Sequence, residues 1–234
     1  MTAPAGPRAR YREQVREEIR AAALRQVAES GVQGIALNSI ARRIGMSGPA
    51  LYRYFAGRDE LLHDLVRSAY DDIGRAINAV PRQQDPRATL LALGRAYLDW
   101  AVGEPHRYLL IQGPPAPGYA SPADTVERAR TAMGPFVAVF AEGEPTAQVQ
   151  PVADEMRTWM QTDTAAVDWL RAHTALDPQA PRAAGALAGT VLAWSHLHGT
   201  VSLEVTGQYT GMGHRAATLL GSQLRMLADA FRLP

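Results

Sequence analysis

Residues 40–55, IARRIGMSGPALYRYF, break a helical pattern with glycine, serine and proline inside five residues and resume it at once. A helix carrying Leu37, Ile40, Ala41 and Ile44 on one face can end at Gly45, which takes the left-handed conformation without Cβ strain. Ser47 is suited to cap a new helix, and Pro49 is tolerated in its first turn because the missing N–H would have no partner there. Leu51, Tyr52 and Phe55 form the buried stripe of that second, short helix. Two short helices joined in this way cross steeply and share a core, which is a helix-turn-helix. Upstream, residues 12–30 repeat Val15, Ile19, Ala22, Ala23 and Val27 at steps of three and four and stop at Gly31, so three helices are expected here.

In a helix-turn-helix the first turn of the second helix enters the DNA major groove. That places Ser47, Gly48, Pro49 and Ala50 nearest the base edges, where they offer mainly apolar contact, for example with a thymine methyl. Asn38 and Arg53 are the better candidates for polar base contacts. Tyr52, Tyr54 and Arg58 are suited to phosphate, and Arg42 faces outward beside Arg43. Charge is distributed to match: residues 1–60 hold ten Arg against six acids, whereas the remainder holds fourteen Arg against seventeen acids. The net charge of +1 thus conceals a basic N-terminal part suited to a polyanion.

Helical spacing continues through nearly the whole chain, with no alternating strand pattern and no fixed repeat, so the fold class is all-α. A long helix over 58–80 carries Leu61, Leu62, Leu65, Val66, Ala69, Ile73 and Ile77 on one side. Further helices are read over 87–102, from Ser121 and Pro122 to about 141, across 146–174, up to about 208, and over 213–231. The proline-rich segment 113–122, GPPAPGYASP, is a lid or a connector. The division expected is a DNA-binding domain over 1–60, preceded by a flexible Arg-containing arm over about 1–11, and a second helical domain over 61–234. The arm, with Arg8, Arg10 and Arg12, either reaches into the minor groove or remains a solvated tail.

Several function classes find no support. With no cysteine there is neither a disulfide framework nor a thiolate metal site. His196 and His198, two apart on a helix, point to different sides and cannot easily share one ion with Glu204, so no metal and no cofactor is expected. No G-x-S-x-G elbow, glycine-rich phosphate loop or H-E-x-x-H helix occurs, which argues against an enzyme. The N-terminus lacks the apolar region of a secretory signal and no apolar run approaches the ~20 residues of a membrane span, so a cytoplasmic protein without a membrane partner is expected.

The stretch IARRIGMSGPALYRYFAGRDELL resembles the tetracycline-repressor-like (TetR/AcrR) bacterial transcription regulators, with the IA pair, the glycine and serine turn, the LY pair, the aromatic-Phe end and the acidic-Leu-Leu helix start all present. Two positions depart from that pattern: Ala36 stands where a Ser or Thr cap is usual, and Arg58 where Lys is usual. The segment AWSHLHGTVSLEVTGQY resembles the C-terminal domain of a subgroup marked by a Trp, His, Gly signature, here Trp194, His198 and Gly199. The resemblance implies a helical ligand-binding and dimerisation domain after the DNA-binding one, a homodimer on a near-palindromic operator, and release by a small-molecule effector. It also implies a four-helix dimer interface from the last two long helices, for which Ala186, Gly189, Ala193, Leu197, Ala217, Leu220, Leu224 and Leu227 are the candidates. Tyr97, Trp100, Tyr108, Met133, Phe136, Phe140, Met156, Trp159, Met160 and Trp194 are the candidates for an apolar or aromatic ligand. The function so implied is a repressor released by such a ligand; the rival readings are a ligand-independent DNA-binding protein and, behind it, a helical small-molecule-binding protein or enzyme.

Overall fold

Eleven α-helices and one 3-10 turn make up the computed structural model over its described residues, 6–112 and 119–234, and no strand occurs among them. In chain order these are α1 (Pro7–Ser30), the 3-10 turn Val32–Gly34, α2 (Leu37–Arg43), α3 (Gly48–Leu51), α4 (Arg58–Asn78), α5 (Pro86–Gly103), α6 (Pro105–Gln112), α7 (Thr125–Phe140), α8 (Gln150–Thr162), α9 (Thr164–His173), α10 (Pro181–Val205) and α11 (Ala216–Ala230). Residues 113–118 of the lid-or-connector segment, and residues 1–5 of the N-terminal arm, lie outside the described residues. The chain forms two units, Met1–Ala69 with His106–Ala123, and Tyr70–Pro105 with Asp124–Pro234, so the division falls within α4.

In the first unit, α1 buries Val15, Ile19, Ala22, Ala23 and Val27 and stops at Gly31, whose φ is +70° and whose N–H donates to the Val27 carbonyl at 2.8 Å. The helix begins at Pro7 rather than near residue 12, because a proline in the first turn has a backbone already set for helix. Arg8, Arg10 and Arg12, read as part of an arm, therefore ride on exposed helix. At the other end of the motif, α2 closes on Gly45 (φ +69°) with Met46 N–H on the Ala41 carbonyl at 2.8 Å and Gly45 N–H on the Arg42 carbonyl at 3.2 Å. These are the paired bonds of a Schellman end, and they satisfy carbonyls that the helix would otherwise leave open. Leu51 and Phe55 are fully buried beyond the turn, whereas Tyr52, read as part of the same stripe, is 49% exposed because α3 ends at Leu51.

In the second unit, α10 is the central helix, packed against α5, α7, α8, α9 and α11. Every residue from Ala183 to Thr190 is buried, and the run AAGALAGT is small enough for neighbours on every side. Pro135 inside α7 has no N–H to give the Thr131 carbonyl, which instead accepts from Asn78 Nδ2 at 3.4 Å. The helical stretch read across 146–174 divides at Asp163, because that carboxylate accepts the Ala165 N–H at 2.8 Å and caps a new helix. No helix among the described residues is long and apolar enough to cross a membrane.

Candidate nucleic-acid interface and ligand cavity

The helix-turn-helix is held from behind by α1. Gln26 is buried, and its Oε1 accepts the backbone N–H of Ala36 at 3.0 Å, fixing the residue at which α2 begins. Arg43 forms a two-pronged pair with Glu29 at 2.9 and 3.0 Å, tying the end of α2 to the end of α1. Arg16 and Arg20 grip Asp64 at 2.7 and 2.6 Å, and Arg16 also lies over the Phe55 ring at 4.6 Å. Burial alone would raise the Asp64 carboxyl, but the hydrogen bonds from Arg20 and Arg16 outweigh it and hold it below the ordinary carboxylate value.

These anchors leave a different set of residues facing outward. Asn38, Arg42, Ser47, Pro49, Tyr52 and Arg53 are exposed, while Gly48, Ala50 and Tyr54 are half-buried. Asn38 lies against the start of α3, since a Cβ at Gly48 would sit 3.1 Å from its Oδ1. Ser47 caps α3 through a long contact, 3.4 Å from its Oγ to the Ala50 N. Arg42 and Arg53 make no ion pair among the described residues, so their guanidinium groups remain available to an external anion. Arg58 is engaged instead: its Nη2 donates to the Val32 carbonyl at 3.0 Å and to Gln33 Oε1 at 3.4 Å, so it braces the 3-10 turn. Gln26 was the residue that sequence reasoning passed over, because a lone glutamine on an otherwise apolar stripe carries no periodic signal.

The second unit contains a cavity of about 230 Å³ walled by Tyr70 of α4; Thr125, Val126, Ala129, Arg130 and Met133 of α7; Trp169 of α9; and Thr190, Val191 and Trp194 of α10. Steps of three and four along α7 place its five wall residues on one face. Val126 and Trp194 are exposed and mark the mouth, where Trp194 also stacks on His198 with ring centroids 5.9 Å apart. Trp169 is fixed by its indole N–H, which donates to the Arg130 carbonyl at 2.8 Å. Beside the wall, the His173 ring lies against Gly134, where a Cβ would meet it at 2.1 Å. Burial lowers the pKa of His173, against the charge of Glu127, which raises it.

Of the ten residues read as ligand candidates, Met133 and Trp194 line this cavity. Tyr97, Phe136, Phe140 and Met160 are buried core of the same unit, and Tyr108 is buried in the other unit, because bulky apolar side chains are what fill interiors. Trp100 and Met156 are half-buried and absent from the wall. Trp159 stands one layer behind it, under the Arg130 guanidinium at 5.6 Å and donating to Asp163 at 3.0 Å. Of the interface candidates, Ala186, Gly189, Ala193, Leu197, Leu220, Leu224 and Leu227 are buried within their own unit, and Ala217 is half-buried. At Gly189 the missing side chain serves an internal crossing, since a Cβ there would lie 2.3 Å from the Phe140 ring. The residues that α10 and α11 expose are others, among them Gly199, Leu203, Thr218, Ser222 and Met226, the last 70% exposed.

Known proteins share both regions. Residues 19–65 match the model of bacterial regulatory proteins of the tetR family, and residues 90–227 match that of a tetracyclin repressor-like C-terminal domain. Over 215 residues the chain is 33% identical to the HTH-type transcriptional regulator Rv1816 of Mycobacterium tuberculosis, with 89% of this chain and 88% of that protein aligned. The crystal structure of SCO4313 is similar at 40% identity and a TM-score of 0.76, covering 96% of this chain and 100% of that one. The regulator PfmR from Thermus thermophilus, 14% identical with a TM-score of 0.55 over 91% of this chain and 97% of that one, shares the fold.

Proposed function

The chain belongs to the TetR family of bacterial transcriptional regulators, and on that premise we propose that it is a homodimeric repressor that leaves its operator when a small apolar or aromatic ligand enters the cavity of the second unit. Residues 1–60 read DNA in this proposal, and residues 61–234 bind ligand and dimerise. Arg53 and Asn38 supply the polar base contacts, Ser47, Gly48, Pro49 and Ala50 the apolar ones, and Arg42, Tyr52 and Tyr54 the phosphate contacts; Arg58 acts by holding the 3-10 turn. The dimer forms through the outward faces of α10 and α11 around Gly199, Leu203, Ser222 and Met226 rather than through their buried stripes.

The observation that supports the ligand half is the apolar-walled cavity of about 230 Å³, an apolar concavity of the kind that takes small molecules. Tyr70 on its wall belongs to α4, the helix that begins at Arg58, and we assign α4 as the carrier of the coupling. Such coupling is reciprocal, so operator binding weakens ligand binding by the same factor.

Selection of random duplexes by the purified protein at fixed salt tests the reading. It should enrich a near-palindromic site with half-site centres about 34–36 Å apart, and a panel of small aromatic compounds should then yield one that lowers operator affinity. An asymmetric site or none at all would remove the dimeric-operator reading; a symmetric site unaffected by the whole panel would favour the second reading, a ligand-independent DNA-binding protein.

A further inference from the structure

The cavity wall is apolar apart from one formal charge: among its ten described residues, Arg130 alone is ionised. The other directional groups are largely engaged. The Trp169 N–H is held by the Arg130 carbonyl, and the Thr190 hydroxyl donates to the Ala186 carbonyl at 2.8 Å. Arg130 itself is 18% exposed at its side chain, yet its guanidinium donates no hydrogen bond among the described residues. Its one ion-pair partner, Asp163, stands 3.9 Å away, and both carboxylate oxygens of Asp163 already accept, from the Ala165 N–H at 2.8 Å and from Trp159 Nε1 at 3.0 Å. The guanidinium carbon lies over the ring of Trp159, 5.6 Å from its centroid. Arg128, two residues earlier, shows the contrast: its guanidinium donates to both Asp71 and Asp124.

The donors of Arg130 are open, and the acceptor that matches its planar fork is a carboxylate taken with two parallel hydrogen bonds. The volume bounds the rest of the molecule. About 230 Å³ exceeds the roughly 150 Å³ that accommodates benzene and falls short of the ~300 Å³ where drug-sized sites begin, which suits a substituted ring or a fused pair. Flat faces from Trp169, Trp194 and Tyr70 favour an aromatic body over a flexible chain.

We propose that the effector is a small aromatic carboxylate whose anionic group is bound by Arg130. This rests on the cavity being the effector site, and the experiment separates the two. Isothermal titration of the full-length protein, without DNA, compares 2-naphthoate, its neutral isostere 2-naphthamide, and decanoate as an aliphatic acid. Naphthoate should bind roughly tenfold more tightly than the amide and more tightly than decanoate. Arg130→Gln should abolish the acid preference, and Arg130→Lys should retain part of it. Equal binding of acid and amide, a preference that survives in Arg130→Gln, tighter decanoate, or no binding of any probe would each overturn the proposal. Should Arg130→Gln lose its helical circular dichroism, the comparison of acid with amide in the unaltered protein decides alone. Naphthoate that binds with this preference but leaves operator affinity unchanged would defeat the release reading while leaving the carboxylate site at Arg130 standing.

Discussion

The two units solve the same problem, fixing helices against one another, with opposite chemistry. In the first, polar anchors join the helices: Gln26 on the Ala36 N–H and Arg43 on Glu29 tie the short α2 to α1, and Arg16 and Arg20 on Asp64 tie α1 to α4. In the second, long helices approach closely at positions with no side chain, Gly189 under Phe140 and Gly94 under Leu224, where an added Cβ would meet its neighbour at 2.3 Å in each case. The difference follows from length. A four-residue α3 has no stable conformation of its own and is set by the buried Leu51 and Phe55 against helices that the polar anchors hold in place, whereas the long helices of the second unit rely on area and need only clearance.

The comparison is tested most severely at Asp64. Asp64→Ala leaves Arg16 without its carboxylate and Arg20 with only Glu13 and Glu17, a loss of about 3 kcal/mol when a largely buried pair is broken from one side. Urea unfolding at fixed protein concentration should show it, with faster amide exchange in α1 and at the start of α4. The sign with pH is determined: the native carboxyl is held below its ordinary value, so its contribution is complete above the unfolded pKa of about 3.9 and is lost as pH falls through the depressed native one. The gap between the unaltered protein and the variant should therefore close in strong acid. A gap that persisted there would mean that the carboxylate's charge is not what holds α4.

A smaller effect is expected in the second unit. Gly189→Ala places a methyl group 2.3–2.4 Å from the ring of Phe140, which is itself fully buried and packed edge-on against Phe231 at 5.1 Å. The ring has no room to withdraw, and overpacking of this kind costs about 2 kcal/mol. Adding Phe140→Leu should recover part of the loss, so the double variant should be more stable than the sum of the single changes. Simple additivity would show that Gly189 is not there for clearance.

How legible each region was follows from the same contrast. The helix-turn-helix could be read because Gly45, Ser47 and Pro49 act on their own neighbours, and a local signal survives without knowledge of the partner. The cavity could not be read, since its wall draws on α4, α7, α9 and α10 and includes Ala129, Thr190 and Val191, which no search for large aromatics would collect. Selecting Phe136, Phe140 and Tyr97 by size instead found core, as bulk favours complete burial. Small residues on α10 did signal close approach, but sequence alone does not say to what: for Gly189 it is Phe140 of the same chain. Gln26 stayed hidden for the converse reason, a polar side chain that accepts from an amide ten residues away.

The smallest effect, and the one of opposite sign, tests whether that amide bond stands in for a missing cap. Ala36 occupies the N-cap of α2 in extended backbone (φ −133°, ψ 109°) with no side-chain oxygen to accept from the first turn, and it is exposed. Gln26 holds the N–H of Ala36 itself, which is a different donor from those a cap would satisfy. The two devices are therefore not redundant, and Ala36→Ser should add about 0.5–1 kcal/mol with Gln26 unchanged. Thermal unfolding should move upward by roughly 2–4 °C per kcal/mol for a chain of this size. If Ala36→Ser stabilised the protein only when Gln26 was also replaced by Ala, the glutamine would already be performing the capping role, and the polar anchors of the first unit would be interchangeable rather than each tied to its own donor.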